Sequence, residues 1–370
     1  MSHRKADDRL YRKAEQIAQQ LIDRGVPRAE AIAKVVAAIV GQADSSAENV
    51  VRSLLETQDK FLKQEHAVRR EFESRLEADW SAAFDAFYVA AYCVAEAGDR
   101  YLDVHEAVAV RRKDAVFEVL AGLHARARRI SFEIHRLLTG GFPLGALGRA
   151  RTLHEMAVIA SVIGEYGRAP ASSDLAQRYL DHEVIDRFRY LEDHERHADA
   201  EAEPTLALEV ASIRARRQSM IEKYGGAFRK NYGWAATLTP KGEPPTFHDL
   251  HEYAEMSELR SAYRLMCGEV HASALGLSLN LVEFDGGLVT LPGPTNVGFG
   301  DPGTLALASL GQITWAFFFS GRPDESLDLA DLLALKTLGQ LSDRFGPLAD
   351  AAEQKVMERE AQQDRKAPPT

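Results

Sequence analysis

The sequence is short of cysteine, of long apolar runs and of positive charge, and each shortage removes a class of protein. Its 370 residues include only two cysteines, Cys93 and Cys267, far apart in helical context. That spacing excludes a cysteine-rich zinc site or a disulfide framework and fits a reducing compartment. The opening residues, MSHRKADD, contain no apolar segment of a secretory signal. The longest apolar runs, such as residues 313–319, stop far short of the ~20 residues a membrane span needs. A cytoplasmic protein with no membrane partner is expected. The net charge of −10 argues against a surface that embraces nucleic acid on all sides, because such binding relies on lysines and arginines neutralising phosphates. No internal repeat of fixed period is visible, and strand signals occur in one place.

What is present is helical periodicity over almost the whole chain. The fold class it implies is all-α, an antiparallel helical bundle with one small β-hairpin insertion. Residues 1–76 read as an N-terminal helical extension with thin apolar faces, made of segments 6–24, 28–40 and 47–76 parted at 25–27 and 41–46. A helical core domain follows over 79–345, and residues 346–370 form a charged C-terminal tail expected to fray from Glu353. Core helices are expected over 79–96, 104–139, 143–166, 173–199, 203–230, 304–319 and 325–345, with a loop over 231–247 and one long helix over 257–281. Ser172 and Ser173 before Asp174 suggest an N-cap, while Gly140 and Gly141 stop one helix just before Pro143 starts the next. Alternation over 281–291 about Asp285, Gly286 and Gly287 gives the hairpin.

The expected 257–281 helix carries Arg264 and His271 seven residues apart. At ~100° per residue both return to one stripe, with Gly268 between them. A hollow flanked by a fixed cation and a titratable imidazole suits a phosphate or a proton transfer. The helix from Pro143 turns almost wholly apolar after Glu155, where a carboxylate is costly unless paired. Arg151 one turn back, Arg264 or His271 can supply that pairing. If Glu155 holds the Nδ1 proton of His271, the imidazole is oriented as a general base. The structural alternative uses the same residues as a hydrogen-bond and ion-pair network that locks helices together.

Other patterns are weaker. Residues 213–230 are locally basic, and Arg214, Arg216, Arg217, Arg229 and Lys230 are the candidate RNA contacts. Residues 181–199 place His182 near Asp186 and Asp193 near His197, one turn apart, which ligates metal only when other helices add glutamates. The segment is polar nearly all round and reads as a solvated helix, so neither a metal nor an organic cofactor is implied. Residues 298–303, GFGDPG, match a dinucleotide fingerprint in letters but lack the βαβ context, and Pro302 sits in the turn.

The Arg264 and His271 spacing resembles the R-x4-6-H signature of the HEPN superfamily, helical proteins that include many metal-independent ribonucleases of toxin and antiviral systems. Position near the end of the helical core favours this pair over others of similar spacing, such as Arg149 with His154. The resemblance implies His271 as general acid or base at the 2′-hydroxyl, Arg264 as phosphate clamp, and two subunits meeting over RNA. A second resemblance covers residues 79–281. The stretches GGFPLGALGRARTLHEMAVIASVIGEYG, KNYGWA and YRLMCGEVHAS are similar to an uncharacterised bacterial family known only as a domain of unknown function. Its R-x-L-x-E core falls on Arg151, Leu153 and Glu155; its Y-x3-S-x2-V-H helix falls on Tyr263, Val270 and His271, with Cys267 in the serine position. It implies no activity but groups Glu155, Tyr263 and His271.

The function expected is a HEPN-like, metal-independent endoribonuclease or toxin-type effector in bacterial stress or phage defence. His271, Arg264, Glu155 and Tyr263 would be its catalytic residues, RNA its substrate, a second copy its homodimer partner and a regulatory protein its restraint. The alternative is a non-catalytic helical scaffold that binds a protein or small ligand. A third class, a di-metal helical oxidase, requires the 181–199 histidines to face inward.

Overall fold

The computed structural model describes residues 2–197, 204–271, 274–279, 281–284, 287–290, 292–320 and 328–364. The chain divides into two compact units, Met1–Phe72 and Glu73–Thr370. In the first, α1 (Ser2–Asp23) is separated from the start of α2 (Arg28–Arg112) by Gly25, at φ +90°, and Pro27. The second break expected, over 41–46, is absent: α2 runs unbroken through Gly41. A single helical glycine costs only about 1 kcal/mol, and no proline follows it to force a stop. Between residues 28 and 72 only Ala31 and Val35 are buried.

Within the second unit α2 buries Leu76, Trp80, Phe84, Phe87 and Tyr101 at helical spacing. The gap expected over 97–103 does not exist. Gly98 lies inside α2 because the ring of His124 occupies the space beside it; a Cβ there would stand 2.2 Å from the imidazole. The chain breaks instead at Lys113, at φ +51°, and Asp114. The Asp114 Oδ1 accepts from the Phe117 amide at 3.1 Å and caps α3 (Ala115–Thr139).

Helix α4 (Pro143–Tyr166) matches the expected bounds. The single helix expected over 173–199 is two, α5 (Leu175–Asp181) and α6 (Glu183–His197), divided at His182. Ser172 does not cap it; its hydroxyl donates to the Tyr166 carbonyl at 2.7 Å. Helix α7 (Pro204–Tyr224) ends at Gly225, φ +90°, before the expected Lys230. The expected loop contains a short 3-10 helix, Gly233–Leu238, mostly buried. A capping box of Thr246 and Asp249 opens α8 (Phe247–Tyr253).

The long helix expected over 257–281 is also broken. After the 3-10 turn Ser257–Leu259, α9 (Arg260–Val270) ends at His271, whose backbone is extended at φ −93° and ψ 137°, and α10 (Ala274–Leu279) follows. Strands β1 (Leu281–Phe284) and β2 (Gly287–Thr290) pair antiparallel, Leu281 opposite Thr290. Helix α11 (Gly300–Ser320) and α12 (Leu329–Asp364) close the fold. The fraying expected from Glu353 is not found up to Asp364. Val356 is buried, and Lys355 and Arg359 reach the buried Asp79 carboxylate at 3.1 and 2.7 Å, which needs cations to offset its desolvation.

Helix α4 sits at the centre, packed on α3, α8, α9 and α11. Its residues Leu147, Leu153, Met156, Val158 and Ile163 are buried on several faces, as are Leu310, Ile313, Phe317 and Phe318 of α11. The GFGDPG stretch has a packing role. Gly303 lies against Phe345, and a Cβ there would overlap the ring at 2.1 Å. Among the described residues, no helix is long and apolar enough to cross a membrane.

Candidate functional site

Glu155 meets Arg151, one of the partners offered on cost grounds, and Tyr263, grouped with it by the family resemblance, where α4 faces α9. Arg151 and Glu155, one turn apart on α4, form an ion pair at 2.7 Å. From α9 the Tyr263 hydroxyl donates to the same Glu155 oxygen at 2.9 Å and accepts from Arg151 Nη2 at 3.3 Å. The guanidinium carbon also lies 5.5 Å from the Tyr263 ring centroid. Burial pushes the Tyr263 phenol well above its usual value; Glu155 adds to that shift and Arg151 opposes it. Burial works against the Arg151 charge, but Tyr263, Glu155 and the Cys267 thiol more than offset it and hold the guanidinium firmly protonated. The half-buried cluster is therefore neutral overall and internally satisfied, apart from Arg151 Nε, which is buried without a partner.

Beneath it lies a pair that sequence reasoning passed over. His154 of α4 and His251 of α8 are each 1% exposed, and their Nε2 atoms are 2.7 Å apart. The Tyr263 ring packs on both, with centroids 5.6 and 5.3 Å away. Burial holds both rings neutral: His154 falls to about 4, with His251 adding to the shift, and His251 is lowered with contributions from Arg260 and His248. One ring donates and the other accepts, so neither is placed as an open general base. The available signal was the position of His154 within R-T-L-H-E, beside two residues already singled out.

A third stretch joins through Tyr232. Its ring lies 5.7 Å from Phe247, which in turn lies 4.9 Å from Tyr263. Burial raises the Tyr232 phenol, Glu155 raises it further and Arg151 opposes. Tyr232 adopts the left-handed conformation at φ +55°. The following Gly233 makes this turn possible, because a Cβ there would lie 2.3 Å from the Ala227 carbonyl oxygen. Polar groups of α5 and α6 hold the turn. His182 Nε2 lies 3.0 Å from the Lys230 carbonyl oxygen, and Arg189 donates to the Asn231 side chain at 2.8 Å and to the Arg229 carbonyl at 3.0 Å.

Tyr232 is also a wall of an open cleft of about 830 Å³ between α6 and this turn, shared with Tyr179, Asp186, Tyr190, Asn231 and Trp234. Tyr179 and Trp234 meet edge to face at 5.2 Å. The cleft's arginines are already engaged, Arg187 with Glu209 at 2.9 Å and Arg189 as above.

The remaining candidates are placed elsewhere. Arg264 is exposed on α9, and His271 is exposed beyond its end, so the common helical stripe argued for them does not exist. Glu155 meets Arg151 and Tyr263 in the roles offered to Arg264 and His271. Gly268 is buried, and its carbonyl oxygen lies against α10: a Cβ at Gly276 would stand 2.4 Å from it. Arg214, Arg216, Arg229 and Lys230 are exposed. Arg214 pairs with Glu195 at 3.6 Å, and Arg217 stacks over Phe188 at 4.7 Å. His182, offered as one half of a metal pair, points to the Lys230 carbonyl. Among the described residues no group of three or more His, Cys, Asp or Glu is placed to hold a metal.

The fold and site define an all-helical protein organised about a paired polar cluster on its central helix. Residues 117–288, from α3 into β2, match the model of a family of unknown function (DUF5677). No curated protein and no solved structure matches the chain.

Proposed function

We propose that the domain is a binding module for a planar heteroaromatic small molecule, a nucleobase being the simplest member, held in the cleft walled by Tyr232. One observation carries this reading: Tyr232 walls the cleft and its ring packs on Phe247, which packs in turn on Tyr263 of the polar cluster. Aromatic faces from Tyr179, Tyr190 and Trp234 suit a flat ring, and Asp186, whose Oδ1 meets Arg189 at 3.3 Å, keeps Oδ2 as an acceptor for its N–H groups. The cluster behind serves to hold Tyr232 rather than to transfer protons, because its carboxylate is doubly engaged and its histidines are buried against each other. Calorimetric titration with purine and pyrimidine bases and nucleosides tests this. Saturable binding weakened at least tenfold by Asp186→Asn or Tyr190→Ala supports it; no heat with any of them overturns it. Tyr190 is 69% exposed, so its truncation leaves the fold intact.

The second reading is the metal-independent endoribonuclease, restrained by a regulatory protein. It is favoured by the exposure of Arg264, midway along α9, and of His271, just beyond its end, where an RNA backbone could reach each from solvent. Wild type and His271→Ala incubated with total RNA in EDTA decide it. Cleavage by wild type alone supports this reading, and no cleavage by either removes it.

A further inference from the structure

The stretch of α2 within the first unit is a long helix whose apolar side chains face solvent. Val50, Leu54, Leu55, Phe61, Leu62 and Val68 are all exposed, Leu54 by 62% and Phe61 by 60%. Leu54, Phe61 and Val68 recur every seven residues and Leu55 and Leu62 repeat beside them, so they form one broad stripe of the helix, a surface that water does not stabilise. The order of residues along the stripe says what covers it. It is symmetric about Gln58: Leu54 and Leu55 stand four and three residues before it, Phe61 and Leu62 three and four after it. Charge follows the opposite rule. Among the charges of both signs along this stretch, Glu48 stands ten residues before the same centre and Arg69 eleven after it, and Glu56 and Lys60 stand two residues to either side of it. A central apolar group that reads alike in both directions, with Glu48 matched to Arg69 and Glu56 to Lys60 across the same centre, suits a helix that pairs with itself head to tail.

We propose that this face docks on the same face of a second copy of the chain, antiparallel, about a two-fold axis at Gln58. Leu54 and Leu55 of one copy then pack on Phe61 and Leu62 of the other, and Glu48 of each copy meets Arg69 of its mate. An in-register parallel pair would instead oppose Glu48 to Glu48 and Arg69 to Arg69. The proposal is independent of what binds at the cleft.

Sedimentation equilibrium of the full chain tests it. Wild type is a dimer, and Leu54→Glu with Leu62→Glu is a monomer. All three tryptophans lie outside this stretch, at positions 80, 234 and 315, so an unchanged near-ultraviolet spectrum shows that the variant has lost association and not its core. Glu48→Lys or Arg69→Glu alone weakens dimerisation about tenfold at low salt, since each removes two pairs. Both changes in one chain restore it. Positions 48 and 69 are 21 residues apart, about 31 Å along one helix, so the restoration comes from contact between copies. A monomeric wild type, a higher oligomer, or a double swap no better than the singles overturns the proposal.

Discussion

His154 and His251 share one hydrogen bond, Nε2 to Nε2 at 2.7 Å, at a point on α4 and α8 that water does not reach. The pair can hold one shared proton or a single added charge, but not two charges, and burial keeps it neutral.

Stability should therefore depend on pH in the acid range. Unfolded histidines titrate near 6.5, whereas His154 in the folded chain is pushed down to about 4. Between those values the unfolded state binds the more protons, so the stabilisation is complete above pH 6.5 and declines as pH falls toward about 4. The slope reaches ~1.4 kcal/mol per pH unit for each such group. His124, lowered to about 3 by burial, titrates the same way, so the comparison is with a variant. His154→Gln retains an N–H donor for His251 and should flatten the decline in urea midpoints between pH 6.5 and 4.5. Equal slopes for variant and wild type would mean that the pair does not titrate as described.

The Arg151, Glu155 and Tyr263 cluster should behave as one unit. Tyr263→Phe removes one hydroxyl from a carboxylate that keeps its guanidinium, a loss of about 1 kcal/mol. Arg151→Met leaves Glu155 half-buried without its cation and should cost about 2–3 kcal/mol, less than a fully buried pair because solvent reaches the carboxylate. In the double variant the losses should fall short of their sum by about 1 kcal/mol in chemical denaturation. Simple additivity would show that Tyr263 and Arg151 act separately.

Gly98 and His124 should show steric coupling of opposite sign in two backgrounds. Gly98→Ala drives a methyl into the imidazole and should cost about 1–3 kcal/mol by overpacking. With His124→Ala the space is empty, and the same change should stabilise by up to about 1 kcal/mol through helix propensity. Thermal unfolding of the four proteins reads the sign directly. If Gly98→Ala destabilises both backgrounds alike, the ring is not the obstacle.

Much of the helical layout was legible where glycine and proline mark it. Gly140, Gly141 and Pro143 set the start of α4, and Gly25 with Pro27 parted the first two helices. The lone Gly41 misled because its helical cost is small, and the break at Lys113 and Asp114 was missed because neither residue breaks a helix by itself. At the site, Glu155 and its pairing with Arg151 were legible from the expense of a carboxylate in apolar surroundings, and Tyr263 from the family resemblance. His154 and His251 were not, because their partnership spans 97 residues and no local spacing encodes it. His271 was misplaced because a period of 3.6 carries no information about where the helix ends.

The contact between Gly268 and Gly276 has a last consequence. Here two stretches of main chain press together, and the missing side chain serves as clearance for a reversal of direction. Enlarging residue 276 would act as a wedge, prising α10 from the end of α9. At residue 276 the obstacle is main chain, which cannot swing aside as a flexible side chain can.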